Sequence, residues 1–277
     1  MCERGLVNRI IPFSCVDGPG NRSAVFFQGC GFSCAYCHNP ETQRLCDGCG
    51  LCAARCPAGA LRPAQGRMEW DRERCIGCDA CLGACPKNSS PKVRWMGVDE
   101  IFEELKDALP FITGITVSGG ECTCYDRFVA ELFARAHSLG KTAFCDTNGQ
   151  RPFWEMKELM EAMDMAMLDV KAWDEESHRR LTGSSNETVL KNLDYLLDKG
   201  KLYEVRTVIV PGLLDNEETV RQTAARLAFA PGVRYKLIKY RPWGVRPPLR
   251  VTPPTEGYME ELKALALERG AGTVVIA

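Results

Sequence analysis

The sequence of 277 residues predicts an α/β fold: a partial (βα)6 TIM-like barrel into which a small cysteine-rich unit is inserted. Two observations lead to this prediction. Short β-rich runs alternate with amphipathic helical runs over the C-terminal two-thirds of the chain, which is typical of right-handed βαβ units around a parallel sheet. In addition, one pattern of four cysteines occurs twice between the first predicted strand and the first long helix.

The alternation defines seven strands and six helices. The strands are predicted at residues 24–28, 114–118, 141–145, 165–170, 203–210, 235–240 and 273–276. The helices are predicted at residues 98–109, 125–139, 152–163, 188–199, 216–229 and 255–268. Polar stretches follow four of the strands, at residues 28–30, 118–121, 146–149 and 169–171. Because barrel enzymes place their chemistry at the carboxyl ends of the strands, we expect these stretches to converge.

The composition is that of an ordinary globular domain, with 45% hydrophobic and 26% charged residues. A net charge of −1 provides no overall field for nucleic acid or an anionic membrane, so neither is an expected partner. The apolar runs are too short to cross a bilayer. The first residues, MCERGLVNRI, contain no apolar segment typical of a secretory signal, so we expect a cytoplasmic protein.

The cysteine content is unusual for such a protein. The chain has 16 cysteines, of which twelve lie between Cys15 and Cys85 and none follows Cys145. In a cytosolic chain, clustered cysteines usually bind metal or carry out redox chemistry, whereas a disulfide framework needs an exported protein.

The repeated pattern is C-x2-C-x2-C-x3-C-P, with CDGCGLCAARCP at residues 46–57 and CIGCDACLGACP at residues 75–86. This is the spacing of bacterial ferredoxins, in which three cysteines of one run and the fourth of the other hold one [4Fe–4S] cluster. The spacing therefore predicts one cluster on Cys46, Cys49, Cys52 and Cys85, and another on Cys56, Cys75, Cys78 and Cys81. Zinc is the alternative, but it does not explain the third cysteine or the Cys-Pro ending of each run. Residues 46–86 are thus expected to form a ferredoxin-like insertion, and residues 1–45 and 87–277 the barrel.

A third group, Cys30-x3-Cys34-x2-Cys37, directly follows the first predicted strand. Three thiolates on one short loop can hold three irons of a cubane and leave the fourth iron open, as a catalytic site requires. The alternative is that a distant cysteine, such as Cys15 or Cys122, closes the site.

This loop resembles that of the radical S-adenosylmethionine (SAM) enzymes, in which the open iron is chelated by the methionine part of SAM. VDGPGNRSAVFFQGC and CAYCHNP, within residues 16–40, are similar to the N-terminal signature of the glycyl radical enzyme activases. DTNG at 146–149, MLDVK at 167–171 and VRTVIVPG at 205–212 are similar to their later motifs. The insertion narrows the resemblance to activases with two auxiliary clusters. The sequence IIPFSCVDGPG is most similar to the YjjW-type activases, whose partners are YjjI-type glycyl radical proteins.

The resemblance implies roles for residues at the predicted strand ends. Cys30, Cys34 and Cys37 would be the catalytic cluster ligands. The predicted cofactor-binding residues are Tyr36 against adenine, Asn39 as a polar contact, Ser118, Gly119, Gly120 and Glu121 at the methionine amino group, Asp146 and Asp169 around a monovalent cation, Lys171, and Arg206. Cys122 replaces a proline that is frequent in the family, and Arg241 stands where a histidine often occurs. The loop of Asp17, Gly18, Pro19 and Gly20 would receive the partner's glycine segment, and its glycines would let a backbone lie close.

The implied cofactors are three [4Fe–4S] clusters, one binding SAM and two auxiliary, together with SAM and a monovalent cation, Na⁺ or K⁺. The implied partners are a glycyl radical enzyme as protein substrate and a flavodoxin or ferredoxin as electron donor. The predicted activity is reductive cleavage of SAM to methionine and a 5′-deoxyadenosyl radical, which takes hydrogen from a backbone glycine of the partner. The alternatives are a radical SAM enzyme acting on a small molecule or another peptide, and a multi-cluster electron carrier without catalytic activity.

The cysteine pattern generates a prediction about iron. Anaerobic reconstitution should give about twelve irons per chain, four for each of three cubanes. Replacing Cys30, Cys34 and Cys37 together with Ala should leave about eight irons and abolish SAM cleavage, because only the open cluster binds SAM. Iron analysis and quantification of 5′-deoxyadenosine check both statements. Cleavage that persists at eight irons would show that the catalytic cysteines are elsewhere.

Overall fold

The computed structural model describes residues 3–277, so that Met1 and Cys2 lie outside the described residues. The N-terminal part contains β1 (Gly5–Ser14), β2 (Arg22–Phe27), β3 (Leu61–Ala64), β4 (Arg67–Trp70), α1 (Ala80–Ala84), β5 (Arg94–Met96) and α2 (Val98–Leu105). The central part contains β6 (Gly114–Gly119), α3 (Asp126–Ser138), β7 (Thr142–Thr147), α4 (Lys157–Ala162), β8 (Met165–Asp169), α5 (Glu175–Thr182) and α6 (Glu187–Asp198). The C-terminal part contains β9 (Leu202–Ile209), α7 (Asn216–Leu227), β10 (Arg234–Lys239), α8 (Glu256–Glu268) and β11 (Thr273–Ile276).

Nine strands form one mostly parallel sheet in the order β11-β10-β9-β8-β7-β6-β2-β1-β5. The seven strands from β2 to β11 pair in parallel, and β1 pairs antiparallel with both β2 and β5. The predicted α/β fold with strands and helices in alternation is confirmed, and each predicted strand and helix has a counterpart. The strands β1 and β5 and the helices α1 and α5 were not predicted. Within residues 3–277, the helices are all too short or too polar to cross a membrane.

The two faces of the sheet differ because successive side chains of a strand point to opposite faces. One face packs against the helices and forms the apolar core, with Val25, Val117 and Cys145 in register on three neighbouring strands. The opposite face, called the inner face below, carries Thr116 and Ser118 on β6, Phe144 and Asp146 on β7, Asp169 on β8, Glu204 and Arg206 on β9 and Arg234 on β10. A parallel sheet usually buries apolar residues on both faces, so this polar face indicates a site.

Arg22 ties the amino ends of three of these strands together. Its buried guanidinium donates to Thr116 Oγ1 at 2.8 Å, to the Ile115 carbonyl at 2.8 Å and to the Thr142 carbonyl at 3.1 Å, and it lies over the Phe144 ring. Burial lowers the pKa of this guanidinium to about 10. The inner face is therefore closed by a polar anchor at one end of the strands and is free for chemistry at the other.

Residues 46–86 contain a hairpin that is not hydrogen-bonded to the main sheet. Strands β3 and β4 pair antiparallel across Gln65 and Gly66, which both have positive φ, as a two-residue type I′ turn requires. This hairpin occupies the segment between the two cysteine runs. Its apolar cluster consists of Cys52, Leu61, Met68 and Cys81, which is a very small core.

Candidate active site

A cavity of about 240 Å³ lies at the carboxyl ends of β2, β6, β7, β8 and β9, where the sequence predicts the site. Twelve of the predicted residues line it: Cys30, Cys34, Tyr36, Cys37, Asn39, Ser118, Gly119, Gly120, Asp146, Asp169, Lys171 and Arg206. Its lining also includes Thr147 and Asn148, from the stretch at 146–149 that was expected to converge here, and six residues that were not predicted: Phe32, His38, Thr42, Gln43, Val208 and Ile238. The ends of β6, β7, β8 and β9, together with Ile238 of β10 and the cysteine loop after β2, thus contribute to one cavity.

The cysteine loop is held by backbone hydrogen bonds on both sides. Gly29 N donates to the Thr42 carbonyl at 2.7 Å, and Cys30 N donates to the Gln43 carbonyl at 2.9 Å. Further along the loop, Ser33 N donates to the Thr182 carbonyl at the end of α5. These contacts fix the loop without using any of the three thiols, which stay available as ligands.

Burial raises the pKa of all three thiols, that of Cys34 to about 11. They are therefore neutral at physiological pH until a positively charged metal centre stabilises the thiolates. Two amides that the sequence did not single out lie beside them. Asn148 Nδ2 is 3.3 Å from Cys30 Sγ, and the Gln43 side chain hydrogen-bonds Cys37 and lowers the pKa of its thiol against the effect of burial. Donors of this kind stabilise thiolates that ligate a cluster.

The cavity fits a three-cysteine ligand set. Cys122 is fully buried with its Sγ 3.3 Å from Cys145 Sγ, and Cys15 is exposed before β2. Among residues 3–277, the cavity has no fourth cysteine in its lining. Over the same residues, no group of three His, Cys, Asp or Glu side chains is placed to hold a single metal ion. A zinc ion needs ligands that converge on one point, whereas each thiolate of a cubane binds its own iron.

The segment of Gly119 and Gly120 lies against the backbone that leads into the cysteine loop. Gly120 N donates to the Phe27 carbonyl at 2.9 Å, and Glu121 N donates to the Gly29 carbonyl at 2.8 Å. A Cβ on Gly119, whose φ is +119°, would lie 2.3 Å from Phe27 backbone atoms, and a Cβ on Gly120 would lie 2.3 Å from the Gly29 carbonyl oxygen. Only glycine permits this approach, which joins the ends of β2 and β6 directly.

Glu121 is buried and connects the ends of β6 and β7 through hydrogen bonds. Its Oε1 accepts from Thr123 N, Thr123 Oγ1 and Thr147 Oγ1, at 3.1, 2.6 and 2.7 Å. Its Oε2 accepts from Asn148 N at 2.8 Å. Glu121 does not line the cavity, although the preceding three residues do. A direct contact with the methionine amino group stays a prediction, and the structure adds that Glu121 places Thr147 and Asn148.

The two carboxylates predicted for a monovalent cation each have a cationic partner from the chain. Asp146 accepts from Ser118 Oγ at 3.0 Å and pairs with Arg206 at 2.9 Å, and Asp169 pairs with Lys171 at 2.7 Å. Burial raises the pKa of Asp146 to about 6, against the opposite effect of Arg206. Burial opposes the charge of Lys171, but Asp169 and its other neighbours outweigh that effect and raise its pKa. The cation stays a prediction, because these pairs already balance the carboxylate charge.

Glu204, which the sequence analysis missed, forms an ion pair with Arg206 outside the lining of the cavity. Its buried Oε1 accepts from Arg206 Nε at 2.6 Å, and its Oε2 pairs with Arg234. Burial disfavours the charged guanidinium of Arg206, but Asp146 and Glu204 outweigh this effect and raise its pKa. The result is a continuous row of alternating charges along the inner face that ends in the cavity.

The two ferredoxin-type cysteine runs form two further cavities. Cys46, Cys49, Cys52 and Cys85 line one, called the proximal cavity below, and Cys56, Cys75, Cys78 and Cys81 line the other, called the distal cavity. The structure therefore groups the cysteines in the crossed sets that the spacing predicts. Each cavity also has one lysine paired with an aspartate, Lys87 with Asp47 and Lys92 with Asp79.

Comparison with known proteins assigns the family. The family model described as the radical SAM superfamily matches residues 24–227. The chain is 31% identical to the pyruvate formate-lyase-activating enzyme of Streptococcus mutans, over 94% of this chain and 90% of that one. The chain belongs to the radical SAM superfamily, among its glycyl-radical-enzyme activating enzymes. It is also 29% identical to the indoleacetate decarboxylase activating enzyme of Tractidigestivibacter scatoligenes, over 98% of this chain and 97% of the relative.

A solved structure supports the fold of this activating enzyme. QueE from Escherichia coli superposes with a TM-score of 0.55 at 11% identity, covering 99% of this chain and 94% of that chain. At this identity the likeness concerns the fold alone. Membership in the superfamily makes a [4Fe–4S] cluster and SAM the cofactors of the chain, and its place among the activating enzymes makes a glycyl radical enzyme its partner.

The predicted partner loop of the activating enzyme lies on the inner face. Thr116 Oγ1 donates to the Asp17 carbonyl at 2.6 Å, and Gly18 lies against Phe144. Thr116 and Phe144 each precede a cavity residue by two positions on the same strand, so the loop and the cavity share one face.

The packing and backbone conformation of the chain itself also account for the glycines of this loop, whose contact with a partner stays a prediction. Gly18 and Gly20 have φ of +121° and +74°, and a Cβ would lie 2.9 Å from Arg22 Cδ and 2.6 Å from Thr113 Oγ1, respectively. The chain's own packing and backbone conformation therefore require them. The idea that their missing side chains make room for a partner backbone is not needed to explain them.

The contact between Gly120 and the cysteine loop generates a prediction. In Gly120→Ala, the new Cβ meets two backbone oxygens, of Gly29 and Thr42, so the loop or the segment has to move. We expect the affinity of the reconstituted enzyme for SAM to fall by about tenfold or more, as for other misplaced binding groups. Equilibrium binding of SAM measures the effect. Gly257→Ala is the matched control, because its Cβ would enter open space. Equal affinities in the two variants would contradict the tight contact.

Proposed function

We propose that Cys30, Cys34 and Cys37 hold the catalytic [4Fe–4S] cluster, that SAM occupies the rest of this cavity, and that the enzyme generates a glycyl radical on its partner. When bound, the cluster supplies the electron that cleaves SAM to methionine and a 5′-deoxyadenosyl radical, which takes hydrogen from a backbone glycine. The observation that carries the proposal is the meeting of the three-cysteine loop and the Ser118–Gly120 strand end in one cavity. The buried, neutral thiols and the amides beside them fit the cluster.

The chain's own residues bind and orient the cofactor. The exposed backbone at Gly119 and Gly120 gives a bound ligand close access to the end of β6. Lys171 and Arg206 line the cavity and provide N–H donors for a carboxylate, while Asp169 and Asp146 hold their side chains there. Tyr36 is a buried aromatic in the lining, and Lys171 Nζ lies 5.8 Å from its ring centre. We assign Tyr36 and Asn39 to the adenosine part and Lys171 and Arg206 to the methionine part of SAM.

We further propose that the partner is a YjjI-type glycyl radical protein, as the resemblance of residues 10–20 to the YjjW-type activases suggests. The support from the structure is the position of the loop at residues 17–20 on the inner face, below the cavity. A glycine segment that lies along this face would contact the loop and the cavity together. The alternative substrate, a small molecule, would not need a binding surface that extends beyond the cavity.

The insertion at residues 46–86 is proposed to hold two auxiliary [4Fe–4S] clusters that pass electrons from a flavodoxin or ferredoxin to the catalytic cluster. Leu45 connects the two regions, because it lines the proximal cavity and lies 3.5 Å from the position of a Cβ on Gly29, next to Cys30. The order would then be distal, proximal, catalytic. The competing role is docking of the partner.

Two reductants separate relay from docking. In the variant with Cys49 and Cys78 both changed to Ala, which damages both auxiliary sites, SAM cleavage with reduced flavodoxin should fall about tenfold or more, since the relay is broken. Cleavage with dithionite, a small reductant that reaches the catalytic cluster directly, should be largely retained. Initial rates of 5′-deoxyadenosine formation measure both. An equal response to both reductants would contradict the relay and favour docking.

The function as an activase is tested by separating SAM cleavage from radical delivery. Val16, beside the loop, is 75% exposed, so Val16→Asp should leave iron content and uncoupled SAM cleavage nearly unchanged. Glycyl radical formation on the partner should fall by about tenfold or more, because an unpaired charge would meet the incoming segment. The doublet of the glycyl radical in electron paramagnetic resonance (EPR) and the yield of 5′-deoxyadenosine measure the two activities. Gly20→Val is unsuitable, since its clash with Thr113 would disturb the fold.

The matched control is Phe229→Asp, a residue that is 91% exposed and precedes β10. It should leave both activities unchanged. A parallel fall of both activities in Val16→Asp would mean that the loop only supports the fold. Normal radical formation in that variant would contradict a protein substrate at this face and favour the small-molecule alternative.

A further inference from the structure

Among residues 3–277, each auxiliary cysteine cavity contains one buried hydrogen-bond donor that has no oxygen or nitrogen acceptor. In the distal cavity it is the indole N–H of Trp70, and in the proximal cavity it is the hydroxyl of Ser89, a residue that is only 3% exposed. A buried donor without an acceptor costs free energy, and native proteins rarely leave one unsatisfied. The acceptor is therefore expected inside the cavity.

Both donors are held in place by the surrounding structure. Trp70 ends β4 and pairs in register with Leu61, and the Arg72 guanidinium lies 5.8 Å from its ring centre. Ser89 lies between two residues with backbone hydrogen bonds to the segment after the catalytic loop, since the Asn88 carbonyl accepts from Arg44 N and Ser90 N donates to the Glu41 carbonyl. The backbone positions of both residues are therefore fixed beside their cavities.

Water does not explain these donors well. A buried water needs two to four polar partners, as a rough rule. The other polar side chains of the two cavities are the lysines and aspartates, which pair with each other. The rest of the lining is cysteine sulfur and apolar side chains, including Leu61 and Ile76 in the distal cavity and Leu51 and Met68 in the proximal one. Cysteine sulfur is thus the most numerous side-chain acceptor in each cavity.

The distal cavity already shows hydrogen bonding to sulfur. Ala60 N donates to Cys56 Sγ at 3.3 Å. The Trp70 indole N–H lies within hydrogen-bonding range of the Cys75 thiol, so the nearest acceptor for this donor is a sulfur. A cluster that fills the cavity would bring its sulfurs between the four cysteines and toward this donor.

We propose that Trp70 and Ser89 each donate one hydrogen bond to a sulfur of the auxiliary cluster in their cavity and thereby raise the reduction potential of that cluster. A donor stabilises the reduced state more than the oxidised state, because reduction adds negative charge to the sulfurs. The inference rests on the proposed function insofar as it requires the auxiliary clusters. Each cluster then has its own tuning residue, and the two potentials are set independently.

The test uses full-length, anaerobically reconstituted protein in which Cys30, Cys34 and Cys37 are Ala, so that only auxiliary clusters contribute to the EPR signal. Trp70→Phe keeps the ring and removes the N–H, and Ser89→Ala removes the hydroxyl. In a potentiometric titration, each variant should move the midpoint of one cluster to a more negative value. The expected size is about a tenfold lower ratio of reduced to oxidised cluster at a fixed potential, or ~59 mV for one electron.

The two variants should shift different signals, and the double variant should shift both. The controls are Trp95→Phe and Ser90→Ala, since Trp95 and Ser90 are neighbours that do not line the cysteine cavities, and both should leave the midpoints unchanged. Unchanged midpoints in Trp70→Phe and Ser89→Ala, or shifts to more positive values, would overturn the inference. The proposal that the insertion holds auxiliary clusters would be unaffected by that result. Absence of iron from the triple-alanine protein would instead overturn the auxiliary clusters themselves, and the inference with them.

Discussion

The close contact between two backbones at the ends of β2 and β6 is the constraint on which the site depends. Gly119 and Gly120 approach Phe27 and Gly29 so closely that no side chain fits between them. This contact sets the distance between the cysteine loop and the segment on the opposite side of the cavity. Glu121 extends it to the end of β7 by its hydrogen bonds to Thr147 and Asn148. Three strand ends are thus joined by backbone atoms and one buried carboxylate.

The charged side chains of the inner face continue this network of contacts from the strand ends toward the middle of the sheet. Because the parallel strands are in register, Asp146, Arg206, Glu204 and Arg234 form one row in which two carboxylates balance two guanidinium groups. Removal of any one would leave an uncompensated buried charge, so the row resists distortion when a substrate enters. The same register places the loop at residues 17–20 and the cavity on the same face of the sheet.

The sequence predicted those parts of the molecule that follow local rules. Alternating strands and helices, glycine-rich strand ends and cysteine spacing are each visible as local sequence patterns. Most lining residues of the cavity could therefore be predicted. Strand β1 was missed because Pro12 interrupts its apolar pattern and its pairing with β2 contains register shifts. Glu204 was missed because a lone acidic residue in an apolar strand has no local signature. Its importance follows only from its neighbours Arg206 and Arg234, which pairing across β9 and β10 supplies.

The crossed grouping of the eight auxiliary cysteines has a consequence for how the enzyme matures. In the proposed arrangement, each run gives its fourth cysteine, Cys56 or Cys85, to the cluster of the other run. Two of the four members of the small apolar cluster, Cys52 and Cys81, are themselves ligands, so little holds this unit together before metal arrives. Assembly of one site draws together the ligands of the other. When iron is scarce, a cell would therefore contain complete and empty insertions side by side, with few half-filled ones.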